Sequence, residues 1–224
     1  MEVLQKIQKE ILTSLKALPD RGAFYLTGGT ALSAFYLSHR KSNDLDFFTS
    51  IEELILPFST KVETILREKG LKIERRRGFH SFVELFVSSH DEATIIHIAL
   101  DSPFRFEPPG DSEEFPGLKI DSLIDIATNK LLALFGRATM RDFIDVYFLV
   151  RDKFTKTELI EKAKLKDPGL DIYWLGIAFE RINEFSADSP DMLLLLKQCD
   201  IKWLQDFFNE WRRDIYGEIT KEGI

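Results

Sequence analysis

A chain of 224 residues with 44% hydrophobic positions, 19 Phe among them, carries enough apolar surface for one large folded domain or two small ones. Its 30 Lys and Arg against 37 Asp and Glu leave a net charge of −7 and a pI near 5.3, which argues against a protein that coats nucleic acid nonspecifically. The one cysteine, Cys199, excludes an internal disulfide and fits a reducing compartment, so the cytoplasm is expected; no apolar run approaches membrane-spanning length.

In chain order, Val3, Leu4, Ile7, Ile11, Leu12, Leu15 and Leu18 recur at helical spacing among charged residues, so residues 1–18 read as an amphipathic helix rather than a signal peptide. Residues 23–26 read as a short buried strand and 31–37 as an amphipathic helix, which puts Gly28 and Gly29 at the turn between them. A second strand carries Asp44-Leu45-Asp46 and runs into Phe47 and Phe48. Residues 55–69 read as a helix for which Gly70 is the natural stop. Three strands are expected over 71–75, 82–87 and 94–100, the last two joined by the turn-like Ser88-Ser89-His90-Asp91. Pro108, Pro109, Gly110, Pro116 and Gly117 mark 106–117 as a loop or interdomain linker. Beyond it the period is helical over 121–135, 141–150, 157–165, 170–185 and 200–216. The fold class is therefore α+β: a mixed α/β domain over 1–105, the linker 106–117, and a helical domain over 118–224. A cleft between two such halves is a common place for a ligand.

The pairing of a glycine turn with two spaced carboxylates carries the chemistry. In a strand alternate side chains share a face, so Asp44 and Asp46 point the same way while Leu45 points into the core. Two carboxylates on one face repel, and a hard divalent cation such as Mg²⁺ relieves that repulsion, typically adding the phosphates of a nucleotide to its ligands. Glycine lets the backbone come close to a ligand at Gly28 and Gly29, and the N–H groups of the helix start that follows favour an anion. Together these features suggest a metal-dependent nucleotidyl-transfer site. The alternative for each half taken alone is a plain turn and a solvated Asp-x-Asp loop. The four histidines show no zinc-ligand spacing, and no Gly-x-Ser-x-Gly elbow supports a serine hydrolase.

Two basic clusters stand out. Lys130, Arg137 and Arg141 lie within twelve residues beside Asp142 and Asp145; they could set positive charge against a triphosphate, or simply make ion pairs on a helix face. Lys69, Lys72, Arg75, Arg76 and Arg77 face Glu74 alone. Such a run reads as a solvated strand edge, where charge discourages aggregation, or as a contact for RNA or phosphate.

Gly28-Gly29-Thr30-Ala31-Leu32, Asp44-Leu45-Asp46-Phe47, Lys130 and Arg137-x3-Arg141-Asp142-Phe143-x-Asp145 resemble the AbiEii/AbiGii toxin family of nucleotidyltransferases, within the DNA polymerase β-like superfamily. The resemblance spans roughly residues 20–150. It implies a minimal nucleotidyltransferase sheet with flanking helices and a C-terminal helical domain, Mg²⁺, and an NTP as co-substrate. It also implies transfer to RNA, including tRNA acceptor ends, and in several members a toxin paired with an antitoxin. By that resemblance Asp44 and Asp46 hold Mg²⁺, Gly28, Gly29 and Thr30 bind phosphate, Lys130 and Asp142 complete the catalytic set, and Arg137 and Arg141 support nucleotide binding. One position departs: the superfamily usually places a third carboxylate on a later strand, where this chain has His97, which could itself act as a base near neutral pH, with Asp101 four residues on along the same face as a substitute acid if the strand extends that far. Readings with a small-molecule or protein acceptor, or with nucleotide binding and no catalysis, stay open at this point.

Overall fold

The alternation Asp44-Leu45-Asp46-Phe47 has the two-residue period of a half-buried strand. In a computed structural model of the chain, which describes residues 2–222, it forms β2 (Asp44–Thr49), with Leu45 and Phe47 buried and Asp44 and Asp46 on the opposite, partly open face. Met1, in the expected first helix, and positions 223–224, in the expected helical domain, lie outside the described residues. The chain divides into two compact units, Met1–Leu123 and Ile124–Ile224.

In the first unit α1 (Lys6–Leu15) precedes β1 (Tyr25–Thr27), and α2 (Gly28–Ala31) continues without a break into a π-helical segment, Leu32–Leu37, closed by Ser38 in the left-handed region at φ 50°. After β2 come α3 (Ile55–Glu68), β3 (Lys72–Phe79), β4 (Phe82–Ser88), β5 (Ala93–Leu100), β6 (Gly110–Asp111) and β7 (Lys119–Ile120). They form one mixed sheet of seven strands in the order β3-β4-β5-β2-β1-β7-β6. At its centre β2 runs parallel to β5 and antiparallel to β1. Leu45, Phe47, Val83, Leu85, Ile96 and Ile98 bury one face, against which α1 and α3 pack, and Phe24 stacks on Phe58 of α3 at 3.8 Å. Helices on one side of the sheet leave the other face for polar side chains.

The helix expected over 1–18 is confined to Lys6–Leu15 and the one expected over 200–216 runs on to Glu222, and two stretches of the sheet also differ from the sequence-based expectation. Strand β3 runs on past Arg75 to Phe79, because it pairs with β4 along its whole length through a β-bulge between Arg75 and Arg77. The Pro- and Gly-rich segment 106–117 lies within the first unit and contributes β6, which pairs antiparallel with β7, while Phe115 is buried.

The second unit holds α4 (Leu123–Arg137, whose first residue ends the first unit), α5 (Met140–Asp152), α6 (Lys156–Lys166), α7 (Ile172–Glu180) and α8 (Ile201–Glu222), with short 3₁₀ turns at Arg181–Glu184 and Pro190–Leu194. Phe143, Phe179, Phe208 and Trp211 form an aromatic core, with ring centroids 4.9 Å apart for Phe143 and Phe208 and 4.7 Å for Phe179 and Trp211. No described helix is long and apolar enough to cross a membrane.

The two faces of β2 predict an asymmetry. Phe47→Ala should lower the urea unfolding free energy by about 3–5 kcal/mol, and Phe48→Ala, on the open face, by clearly less.

Candidate active site

Two adjacent elements build the site. Tyr25-Leu26-Thr27 is extended and buried, and the chain then turns at Gly28, whose φ of 71° is costly for a side-chain-bearing residue. A Cβ at Gly28 would overlap Oδ2 of Asp46, so the glycine backbone lies directly against that carboxylate. A Cβ at Gly29 would come within 2.7 Å of the guanidinium of Arg40, which is itself 1% exposed and donates to the Lys41 carbonyl at 2.9 Å. Thr30 donates its hydroxyl to the Asp44 carbonyl and thereby ties the start of α2 to the start of β2.

Strand register sets what surrounds the acids. Thr27 of β1 lies opposite Asp46 of β2, Asp46 opposite His97 of β5, His97 opposite Glu84 of β4, and Glu84 opposite Arg77 of β3. Directly paired residues share a face, so these five side chains form one row across the open side of the sheet. His97 Nδ1 is 2.8 Å from Asp46 Oδ1, its Nε2 is 3.7 Å from Glu84 Oε2, and Arg77 Nε is 3.9 Å from the same Glu84 oxygen. Burial alone would lower the proton affinity of His97, but the hydrogen bond and charge of Asp46, with the charges of Asp44 and Glu84, carry its pKa above the ordinary histidine value. Glu84 escapes a reading of sequence motifs, although one hint was present: it is the lone carboxylate among the residues of an otherwise apolar strand that alternate with Val83, Leu85 and Val87. Strand β5 ends at Leu100, so Asp101 lies just beyond it, four residues past His97 and roughly 13 Å on in extended chain. There its carboxylate accepts from the Tyr25 hydroxyl and from Arg105 Nη1 at 2.9 Å, while Asp121 accepts from Thr27 at 2.6 Å and from Arg105.

Asp44 and Asp46 offer hard oxygen donors on one face of one strand, the donor type that Mg²⁺ takes. Among the described residues no three His, Cys, Asp or Glu side chains are arranged to hold a metal ion. The two aspartates would therefore leave most of a divalent ion's ligand positions to phosphate oxygens and water.

In the second unit, Lys130 Nζ is 2.7 Å from Oδ2 of Asp145, which is fully buried. Arg137 grips Asp142 with two bonds, Nε to Oδ2 at 2.8 Å and Nη2 to Oδ1 at 2.9 Å, and Asp142 also accepts from the hydroxyl and backbone N–H of Thr139 at the start of α5. Burial pushes the Asp142 carboxyl up, but the Arg137 and Thr139 hydrogen bonds and the charges of Lys130 and Arg137 outweigh it and hold the pKa below the usual carboxylate range. Arg141 Nε lies 3.6 Å from Asp191. The second constellation is thus a set of neighbouring ion pairs within one unit.

Residues 10–201 match the family model described as nucleotidyl transferase AbiEii toxin, type IV toxin–antitoxin system. A protein of Aquifex aeolicus (strain VF5), described as uncharacterized, is 32% identical over 166 residues, covering 74% of this chain and 76% of its own length. Among solved structures, JHP933 from Helicobacter pylori superposes with a TM-score of 0.58 at 18% identity over 97% of this chain and 92% of its own. MenT4, a nucleotidyltransferase toxin of Mycobacterium tuberculosis H37Rv, superposes at 0.57 and 15% identity over 93% and 81%. At these identities the two structures share the fold.

Two substitutions follow from the geometry. Gly28→Ala is expected to abolish Mg²⁺-dependent NTP binding, read by titration with a fluorescent nucleotide, because the new methyl displaces Asp46. Gly70→Ala, at a comparable φ of 82° but with open space around it, should cost about 1–2 kcal/mol of stability and leave nucleotide binding unchanged. Asp142→Asn should destabilise the protein by about 1–3 kcal/mol at neutral pH. Because the folded carboxyl titrates below the unfolded one, that stabilisation is complete above about pH 4 and is lost as pH falls through the folded value. The difference between variant and parent in chemical denaturation should accordingly shrink in acid.

Proposed function

The chain belongs to the AbiEii family of nucleotidyltransferase toxins, and we propose that it transfers an NMP from an NTP to a hydroxyl of RNA, such as a tRNA 3′ end, with Asp44 and Asp46 as the ligands of a Mg²⁺ ion. The observation that carries this reading is the placement of two carboxylates on one face of β2 with the Gly28 backbone laid against one of them. In the reaction the acceptor oxygen attacks the α-phosphorus in line, the bond to the β-phosphate breaks, pyrophosphate leaves, and the hydroxyl proton passes to solvent. A divalent cation, when bound, supplies the charge that offsets the triphosphate. The backbone of Gly28, Gly29 and Thr30 binds phosphate oxygens at the start of α2.

His97 takes the role of a positioning residue. With Nδ1 2.8 Å from Asp46 Oδ1 and Nε2 3.7 Å from Glu84 Oε2, both of its ring nitrogens face carboxylates, which suits it to hold Asp46 rather than to act as base toward the acceptor. Lys130, Arg137, Arg141 and Asp142 are assigned to the nucleotide-binding and catalytic set through the family motif they match. An antitoxin protein is the further partner this membership suggests, and the cytoplasm is the proposed compartment.

Incubation with each α-labelled NTP, Mg²⁺ and total RNA tests the reading. Label is expected on RNA, dependent on Mg²⁺, and reduced by about 100-fold or more in Asp44→Asn and Asp46→Asn. Transfer by both variants at the parental rate would remove the aspartates from the site. Label on protein or on a small molecule would change the acceptor, and Mg²⁺–NTP stabilisation without transfer would leave a binding module.

A further inference from the structure

The bulge in β3 changes which way its arginines face. In regular alternation Arg75 and Arg77 would share the helix-covered face of the sheet and Arg76 alone would face the open side. Instead Arg75 lies opposite Leu85 and bonds back to α3, to Glu63 at 2.6 Å and Ser59 at 2.9 Å, while Arg77 lies opposite Glu84 on the open face. The guanidinium carbon of Arg76, the extra residue, sits 4.1 Å from the ring centroid of Phe86, also on that face. Two consecutive arginines therefore project to the side that carries Asp46 and His97, as a bulge allows and a regular strand does not.

We infer that this edge of the sheet is a platform for single-stranded nucleic acid, with Arg76 and Arg77 taking backbone phosphates and Phe79 stacking a base. Each arginine's carboxylate contact is long: 3.9 Å from Arg76 to Glu74 and 3.9 Å from Arg77 to Glu84, with the two side chains 39% and 64% exposed, so most of their N–H donors face water. Phe79, at the end of the same strand, is 63% exposed. Protection of an edge strand calls for charge, not for a bare aromatic ring; arginine together with exposed aromatic side chains is the pairing that single-strand sites use. The apolar surface continues inward, since Phe79 lies opposite Phe82 and the Phe82 ring is 5.5 Å from that of His97. From Asp46 to Arg77 the row crosses three strand spacings, about 14 Å. At ~3.4 Å per stacked nucleotide, an acceptor whose terminal hydroxyl reaches the aspartates lays its backbone over the arginines about four nucleotides upstream. That acceptor role rests on the nucleotidyl-transfer reading; the platform itself is a separate property of the surface.

The test is binding of a short, unstructured fluorescent RNA to the full-length protein over a salt series. Arg76→Ala/Arg77→Ala is expected to weaken binding by about 10-fold or more and to flatten the dependence of log Kd on log salt by about 1.4, at ~0.7 per phosphate contact on a single strand. Phe79→Ala should weaken it by about 10-fold with the salt slope unchanged. Mg²⁺–NTP thermal stabilisation should match the parent in both variants. A charge-matched control, Lys164→Ala/Lys202→Ala, should bind RNA like the parent. The platform is refuted if the arginine pair can be removed with no more effect than the control. It is equally refuted if polyglutamate binding depends on the pair while RNA binding does not, which would make this edge a docking site for an acidic protein. RNA binding that depends on the pair in a protein showing no Mg²⁺–NTP stabilisation would support the platform and refute the transfer reading instead.

Discussion

The parallel register of β2 on β5 governs this molecule. Leu45 and Phe47 on one strand and Ile96 and Ile98 on the other must all reach the helix-covered face, and a slip of one residue would drive Asp44 and Asp46 into that core. Burying the apolar set therefore fixes the polar set, and Asp46 meets His97 as a consequence of packing on the other side of the sheet. Everything nearby is built outward from that contact. Gly28 must lack a side chain because the Asp46 carboxylate occupies the space it would fill, and Glu84 and Arg77 extend the row to alternating charge across four strands. With side chains only 16–24% exposed at Asp46, His97 and Glu84, these pairs sit in a lower dielectric than ordinary surface ion pairs and are correspondingly less screened.

The second unit handles its charges in a related way. Asp125 and Asp145 are fully buried, and each is met by a lysine, Lys166 at 2.9 Å and Lys130 at 2.7 Å. Such pairs add little net stability but make the loss of either partner expensive, because a charge would remain in the core. Asp142 differs: it is matched by an arginine that is itself largely exposed, and it also orders the first turn of α5. Removing Arg137 would therefore release a buried carboxylate and loosen that turn together, since both depend on the same two bonds.

Much of the fold was legible because short-range chemistry wrote it. The two-residue alternation over Asp44 to Phe47, the amphipathic period of 55–69 with its glycine stop, and the long helical tail each depend on neighbours in sequence, and each appears within a few residues of its expected bounds. What escaped depends on partners distant in sequence. Residues 76–79 carry no strand period that survives the bulge, and only pairing with β4 makes them β3. The segment 106–117 reads as linker from its prolines and glycines, yet Gly110 and Asp111 find a partner in Lys119 and Ile120 and close the far edge of the sheet. Glu84 belongs to the row around Asp46 only through the registers of β4 and β5, which no motif spells out. The paired aspartates and the glycine turn, by contrast, could be read directly, since strand geometry puts Asp44 and Asp46 on one face whatever surrounds them.

The π-helical segment Leu32–Leu37 adds a constraint of its own. A π turn takes up one residue more than an α turn for the same advance, so the helix that follows the glycine turn is widened before the non-helical stretch 38–43 leads into β2. Because of that phase, Thr30 reaches back to the Asp44 carbonyl, Ser33 meets the Arg40 carbonyl, and Tyr36 still donates to the Asp121 carbonyl at 2.6 Å. Adding or deleting a single residue there would rotate everything downstream by roughly 100°. Anchors at the two ends of the segment could then no longer be satisfied together, so the residue count of the widened helix itself is part of what ties the glycine turn to the start of β2.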